Sequence, residues 1–116
     1  MKFKLIIAFV DVEQTEAAID CARAAGATGS TVIGNARGEG LKPAKTFLGL
    51  DVEDSRDMVL FLVEAHLSRG ILEQLTETCQ FDESPGSGIA FQIDIEDAVG
   101  LASQIGKISS EIEDQI

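Results

Sequence analysis

At 116 residues the chain has the length of one domain, and its apolar content of 45% is enough to bury a core. The formal net charge is −11, divided into +1 over residues 1–50 and −12 over residues 51–116. This acidity argues against nucleic-acid binding. No apolar run approaches the ~20 residues that span a bilayer, so we expect a cytoplasmic protein.

The chain begins with a pattern that predicts a strand followed by a helix. Residues 4–10 form a short apolar run that is typical of a buried strand. Asp11 is a candidate N-cap with Gln14 in capping-box spacing, so a helix is predicted from there to about Ala25. Its inward face is predicted by residues at 3–4 spacing, namely Val12, Thr15, Ile19 and Ala22.

The middle of the chain predicts two strands on either side of a long loop. Gly26 suits the position after a helix, where φ is positive. The β-branched residues at 31–35 predict the second strand, and the apolar run at 58–64 predicts the third. Between them, residues 38–57 have little regular period and are predicted to be mostly loop. A loop of this length in a small domain is usually functional or disordered.

The second half predicts a helix, a short loop, a strand and a final helix. The helix is predicted at 68–79, with Ile71, Leu72, Leu75 and Cys79 facing inward. Residues 82–88 are rich in Gly, Ser, Pro and Asp, and residues 89–95 alternate as a strand does. The apolar residues from 98 to 112 then repeat at 3–4 spacing, which predicts the C-terminal helix.

The predicted order β-α-β-β-α-β is that of the ferredoxin-like α+β fold, formed by residues 1–116 as a single domain. Two helices would cover one face of a four-stranded antiparallel sheet. The other face would remain partly apolar, and in a chain this small it has to be covered. Association with further copies is the simplest way to cover it.

The sequence contains no arrangement typical of catalysis, so we predict that the protein is not an enzyme. Cys21 and Cys79 are expected to be reduced packing residues. A divalent-metal site remains an alternative, suggested by His66 near Glu64 and by the acidic residues Asp51, Glu53, Asp54 and Asp57.

Three short motifs fall at corresponding places along this order. They are GATGSTV at residues 26–32, RGEG at 37–40 and PGSG at 85–88. The first resembles the G-x-T-G-x-T-V motif that begins the second strand of the PII family of nitrogen-regulatory signalling proteins. The second resembles the K-G-x-G at the start of that family's T-loop, and the third resembles its nucleotide-clasping B-loop. The segments 38–57 and 82–88 are therefore T-loop-like and B-loop-like.

The resemblance implies a homotrimer that binds adenine nucleotides in the clefts between subunits. It also implies that the T-loop docks on a protein target, often a membrane transporter or a metabolic enzyme. The ligand-binding residues it implies are Thr31, Arg37, Gly38, Gly40, Lys42, Gly86, Ser87 and Gly88.

Several positions depart from the family's pattern in ways that bear on the ligand. Ser84 and Ile89 stand where the family's B-loop has lysines, and Gly100 and Ala102 stand where it has arginines. Lys42 replaces a glutamine of the 2-oxoglutarate and magnesium site. Because cations offset the cost of desolvating phosphate, we expect AMP or cyclic AMP to be favoured over ATP. A trimeric adaptor whose nucleotide site has decayed is the alternative, beside a divalent-metal-binding trimer.

Overall fold

A computed structural model describes residues 2–36, 46–47, 50–51, 56–83 and 87–100. Six strands, one 3-10 turn and two helices lie in these ranges. In chain order they are β1 (Phe3–Asp11), the 3-10 turn (Val12–Gln14), α1 (Thr15–Ala24), β2 (Thr31–Ala36), β3 (Thr46–Phe47), β4 (Leu50–Asp51), β5 (Arg56–Glu64), α2 (Ala65–Cys79) and β6 (Gly88–Asp94).

Four of the strands form an antiparallel sheet in the order β2-β5-β1-β6, which confirms the predicted ferredoxin-like arrangement. The long strands β1 and β5 lie at its centre, and β2 and β6 are its edges. The remaining two strands, β3 and β4, pair with each other within the segment predicted to be mostly loop. Each has two residues, which is too short for a period to show in the sequence.

One face of the sheet packs against both helices and forms the core. Buried and half-buried positions alternate along β1 and β5, as expected when one face is covered. The core is made of Ile6, Ala8, Val10, Ala18, Ala22, Ala27, Val59, Phe61, Val63, Ile71, Leu75 and Cys79. Among the described residues, Phe61 is the largest fully buried side chain.

The opposite face of the sheet is apolar and lies outside the helices, as the sequence predicts. Its side chains form three cross-strand rows over β5, β1 and β6, which are Leu62–Leu5–Ile93, Leu60–Ile7–Phe91 and Met58–Phe9–Ile89. In the single chain, the exposed fractions of Leu62 and Ile93 are 37% and 45%. A continuous apolar face made of these three rows favours burial against another surface.

The predicted capping box at the start of α1 is wrong. Asp11 ends β1 and makes no side-chain cap, because its carboxylate pairs instead with the guanidinium of Arg56 on the adjacent strand. A 3-10 turn intervenes before α1 begins at Thr15, so Val12 is 55% exposed rather than inward. The attraction of a nearly buried guanidinium outweighs the modest gain from an N-cap.

The second helix and the end of the chain also differ from the prediction. α2 begins at Ala65, and Ser68 is buried in its first turn with its hydroxyl donating to the Ala65 carbonyl. Residues 95–100 are irregular, and the rest of the predicted C-terminal helix lies outside the described residues. Gly26 has the positive φ expected of it, at +119°. Neither of the described helices is long and apolar enough to cross a membrane.

Candidate functional site

Three of the eight residues predicted to bind a ligand lie in the described part of the chain. They are Thr31, Ser87 and Gly88. The other five, Arg37, Gly38, Gly40, Lys42 and Gly86, lie outside the described residues. The structure therefore bears on the start of β2 and on the end of the B-loop-like segment.

Thr31 and Gly88 lie on opposite edges of the sheet. Thr31 is the exposed first residue of β2 and pairs with Leu60, whereas Gly88 is the first residue of β6 and pairs with Val10. Two strands separate these edges, so Thr31 and Gly88 are at least about 14 Å apart at a strand spacing of ~4.8 Å. One chain does not bring the two motifs together, and a site that uses both needs a second chain.

Ser87 connects the end of the B-loop-like segment to the C-terminal end of α2 through a hydrogen bond. Its hydroxyl donates a hydrogen bond to the carbonyl of Gln80 at 3.1 Å. Gln80 follows the last residue of α2 in a left-handed conformation, with φ of 56°. Because the Ser87 proton is committed to this bond, the hydroxyl has to turn before it can donate to a ligand.

Gly88 has a packing reason to be glycine. A Cβ at this position would lie 2.6 Å from the carbonyl oxygen of Phe9 and 2.5 Å from the ring of Phe81. Both distances are shorter than carbon atoms tolerate, and the nearest backbone atom belongs to the central strand β1. No local pattern predicts this contact, because it joins residues that are far apart in the chain.

A groove of about 350 Å³ runs between α2 and the first half of β6, beginning at Gly88. Its charged lining residues are Arg69, Glu73 and Asp82, which together carry a net charge of −1. Arg69 Nε pairs with Glu73 at 3.2 Å, and Asp82 accepts a hydrogen bond from Thr76 Oγ1 at 3.2 Å. Asp82 thus places a carboxylate in the groove that begins at Gly88.

A second groove, of about 710 Å³, lies at the opposite end of the same edge, where β6 ends beside the start of β1. Lys2 and Lys4 line it together with Asp94, Glu96 and Asp97. Lys4 Nζ pairs with Asp94 at 3.3 Å. The lining therefore has two cations and three carboxylates, and it too carries a net charge of −1.

Two polar contacts hold the root of the 38–57 segment, meaning the place where the chain returns to the sheet at Arg56 and Asp57. The buried Arg56 pairs with Asp11, and Thr15 donates to the Asp57 carboxylate at 2.6 Å. Ala36, at the end of β2, pairs with Arg56, so the chain leaves the sheet and returns to it at neighbouring positions. The sequence did not predict these two contacts, because a charged residue that precedes an apolar run gives no sign of its partner.

The described residues give no support to a metal site. Glu64 Oε2 lies 3.6 Å from His66 Nε2, but no group of three or more His, Cys, Asp or Glu side chains comes together in the described ranges. Of the four acidic residues predicted between positions 51 and 57, only Asp57 has a described side chain, and it accepts the hydrogen bond from Thr15.

Comparison with known proteins identifies the family. Residues 3–104 match the family described as nitrogen regulatory protein P-II, whereas no curated protein matches the chain. The apo form of CPII, a nitrogen regulatory PII-like protein from Thiomonas intermedia K12, is similar with a TM-score of 0.62 and 24% identity, over 82% of this chain and 90% of CPII.

Two further solved structures are similar to the chain. CPII bound to ADP and bicarbonate has a TM-score of 0.61 and 27% identity, over 82% of this chain and 87% of that one. A PII-like signalling protein from Thermus thermophilus has a TM-score of 0.60 and 21% identity, over 82% and 87%. Since the family match covers most of the sequence and agrees with the fold, the chain belongs to the P-II family of nitrogen regulatory proteins.

Proposed function

We propose that the chain is a regulatory protein, not an enzyme, that acts as a homotrimer and binds an adenine nucleotide between subunits. The observation that supports this proposal most directly is that Thr31 and Gly88 lie on opposite edges of the sheet. In a closed ring of three chains, the β2 edge of one copy can lie beside the β6 edge of the next. The apolar face over β5, β1 and β6 would then be buried inside the ring.

The expected ligand is a nucleotide of low charge, with AMP or cyclic AMP favoured over ATP. Both grooves along the β6 edge carry a net charge of −1 in the described residues, which opposes the three to four negative charges of a triphosphate. CPII, at 27% identity, binds ADP and bicarbonate. ADP and bicarbonate are therefore tested beside AMP.

The proposed output is the 38–57 segment, which would dock on a protein target such as a membrane transporter or a metabolic enzyme. Its root is held by Arg56 with Asp11 and by Asp57 with Thr15. These contacts tie the segment to the end of β1 and the start of α1. A ligand at the sheet edge would thus be connected to the segment through the paired strands of the sheet.

The test is calorimetric titration with AMP, cyclic AMP, ADP and ATP, each with and without Mg²⁺ and bicarbonate. Saturable binding at about one site per chain, with AMP tighter than ATP, is the expected result. Light scattering should give the mass of three chains. A monomer that binds no nucleotide would overturn the proposal.

A variant pair tests whether the site lies between subunits. Ile7→Glu places a carboxylate at the centre of the apolar face and should give a monomer that no longer binds nucleotide. Gln74→Glu adds the same charge on the exposed side of α2 and should leave both assembly and binding unchanged. Nucleotide binding by a monomeric Ile7→Glu protein would place the site within one chain.

The adaptor with a decayed nucleotide site remains the second candidate, and two contacts favour it. The Ser87 hydroxyl already donates to Gln80, and Gly88 is required by packing. These two residues of the B-loop-like segment therefore have structural roles that need no ligand. A trimer that binds none of the nucleotides at millimolar concentration would establish this function instead.

A further inference from the structure

The two cysteines lie where α1 and α2 pack together. Cys79 is the last residue of α2 and is 2% exposed within the core. Cys21 lies on α1, is half-buried and packs against the same cluster of side chains. Both are free thiols in this structure.

Contacts of the Cys21 side chain place it at the end of α2. Its thiol donates to the Ala18 carbonyl at 3.3 Å, and its side chain is also hydrogen-bonded to Thr78, the residue before Cys79. Ala18 and Ala22, on the buried side of α1, are small enough to let the two helices approach closely. A disulfide needs Cα atoms within about 7 Å, a spacing that neighbours on two closely packed helices can reach.

We propose that Cys21 and Cys79 are an oxidisable pair, which hydrogen peroxide or a related hydroperoxide converts into an intrachain disulfide that joins α1 to α2. This site is separate from the sheet edges and does not depend on nucleotide binding. The disulfide would connect the first half of the fold to the second across a long stretch of sequence.

The chemistry proceeds in two steps. In the first, the Cys21 thiolate attacks one peroxide oxygen, the O–O bond breaks, and the sulfur becomes a sulfenic acid as hydroxide leaves. In the second, the Cys79 thiolate attacks the Cys21 sulfur, the S–S bond forms, and the S–O bond breaks to release a second hydroxide. The two thiol protons neutralise the hydroxides, so two thiols and one peroxide give one disulfide and two waters.

Accessibility assigns the order of these steps. Cys21 is the half-exposed thiol and meets peroxide first. Cys79 is buried, so peroxide in solution does not reach it directly and it reacts only with neighbouring side chains. Burial raises the pKa of both thiols, and for Cys79 the nearby Cys21 adds to the rise, to about 11. Asp20 raises the pKa of Cys21 further, while the hydrogen bond to Thr78 lowers it. The reaction is therefore expected to be slow at neutral pH and to run from Cys21 to Cys79.

The experiment treats the folded full-length protein with hydrogen peroxide, then denatures it and counts free thiols beside an intact-mass measurement. The expected result is loss of both thiols with a mass lower by two hydrogen atoms, and a digest that links the peptides of Cys21 and Cys79 within one chain. Cys21→Ser should leave Cys79 reduced under the same treatment. Cys79→Ser should retain an oxidised Cys21 that carries added oxygen.

Two results would overturn the proposal. In one, the folded protein keeps both thiols under conditions that oxidise the urea-denatured chain to the disulfide. In the other, the only disulfides found join different chains. Both readouts use the unaltered protein, so they stand even if a variant fails to fold. Melting of the oxidised protein adds a check, since a disulfide that closes a long loop should raise Tm by roughly 10 °C.

Discussion

Replacing Gly88 with alanine tests whether this glycine is required by packing. The added methyl group would meet the Phe81 ring at 2.5 Å and the Phe9 carbonyl oxygen at 2.6 Å. The ring can shift, but the carbonyl belongs to β1, which is paired with strands on both sides. Overpacking of this kind costs about 1–3 kcal/mol, and alanine at a φ of +156° costs about 1–2 kcal/mol more. We expect a total loss of about 3 kcal/mol.

The measurement is urea unfolding followed by circular dichroism, at one fixed protein concentration because assembly contributes to stability. Gly29→Ala is the matched control, since a Cβ there meets nothing within 4 Å. It should change the unfolding free energy by less than about 0.5 kcal/mol. The packing argument is refuted if Gly88→Ala is as stable as Gly29→Ala. A stable Gly88→Ala protein that has lost nucleotide binding would instead assign the glycine to the ligand.

Three more predictions concern the loop root, the end of α2 and the thiols. Asp11→Ala leaves the buried Arg56 guanidinium without this carboxylate, and thermal unfolding should show a loss of about 2 kcal/mol in the free energy of unfolding. The loss is smaller than for a fully buried ion pair because Asp11 is partly exposed. Gln80→Gly relieves a left-handed backbone, and urea unfolding should show a gain of about 1 kcal/mol. Iodoacetamide should modify Cys21 before Cys79 in the folded protein, and the Cys79 rate should still be rising with pH above 10 because its pKa is about 11. Equal rates at pH 8 would contradict the assigned burial.

The periodic parts of the fold could be predicted from the sequence, and the contacts between distant residues could not. Apolar runs and 3–4 spacing located β1, β5 and both described helices, because burial on one face leaves a period in the chain. The N-cap predicted for Asp11 was wrong because its competing partner, Arg56, is 45 positions away in the sequence. A local pattern carries no information about such a partner.

The candidate site shows the same division. The PGSG motif predicts a role for Ser87 and Gly88, but their contacts with Gln80, Phe81 and the Phe9 carbonyl depend on how α2 meets β6. The sequence could not distinguish a glycine that a ligand needs from one that a neighbouring ring needs. The sequence predicted a ligand-binding role for Gly88, and the structure supplies a packing reason for glycine at this position, namely the Phe81 ring and the Phe9 carbonyl oxygen.

The placement of Thr31 and Gly88 on opposite edges of the sheet has a genetic consequence. In a ring of three chains, a copy defective on its β2 edge still offers a sound β6 edge, and a copy defective on its β6 edge still offers a sound β2 edge. A mixed ring would contain one cleft built from the two sound edges. Two alleles that are each inactive alone should therefore restore partial function when they are expressed together in one cell.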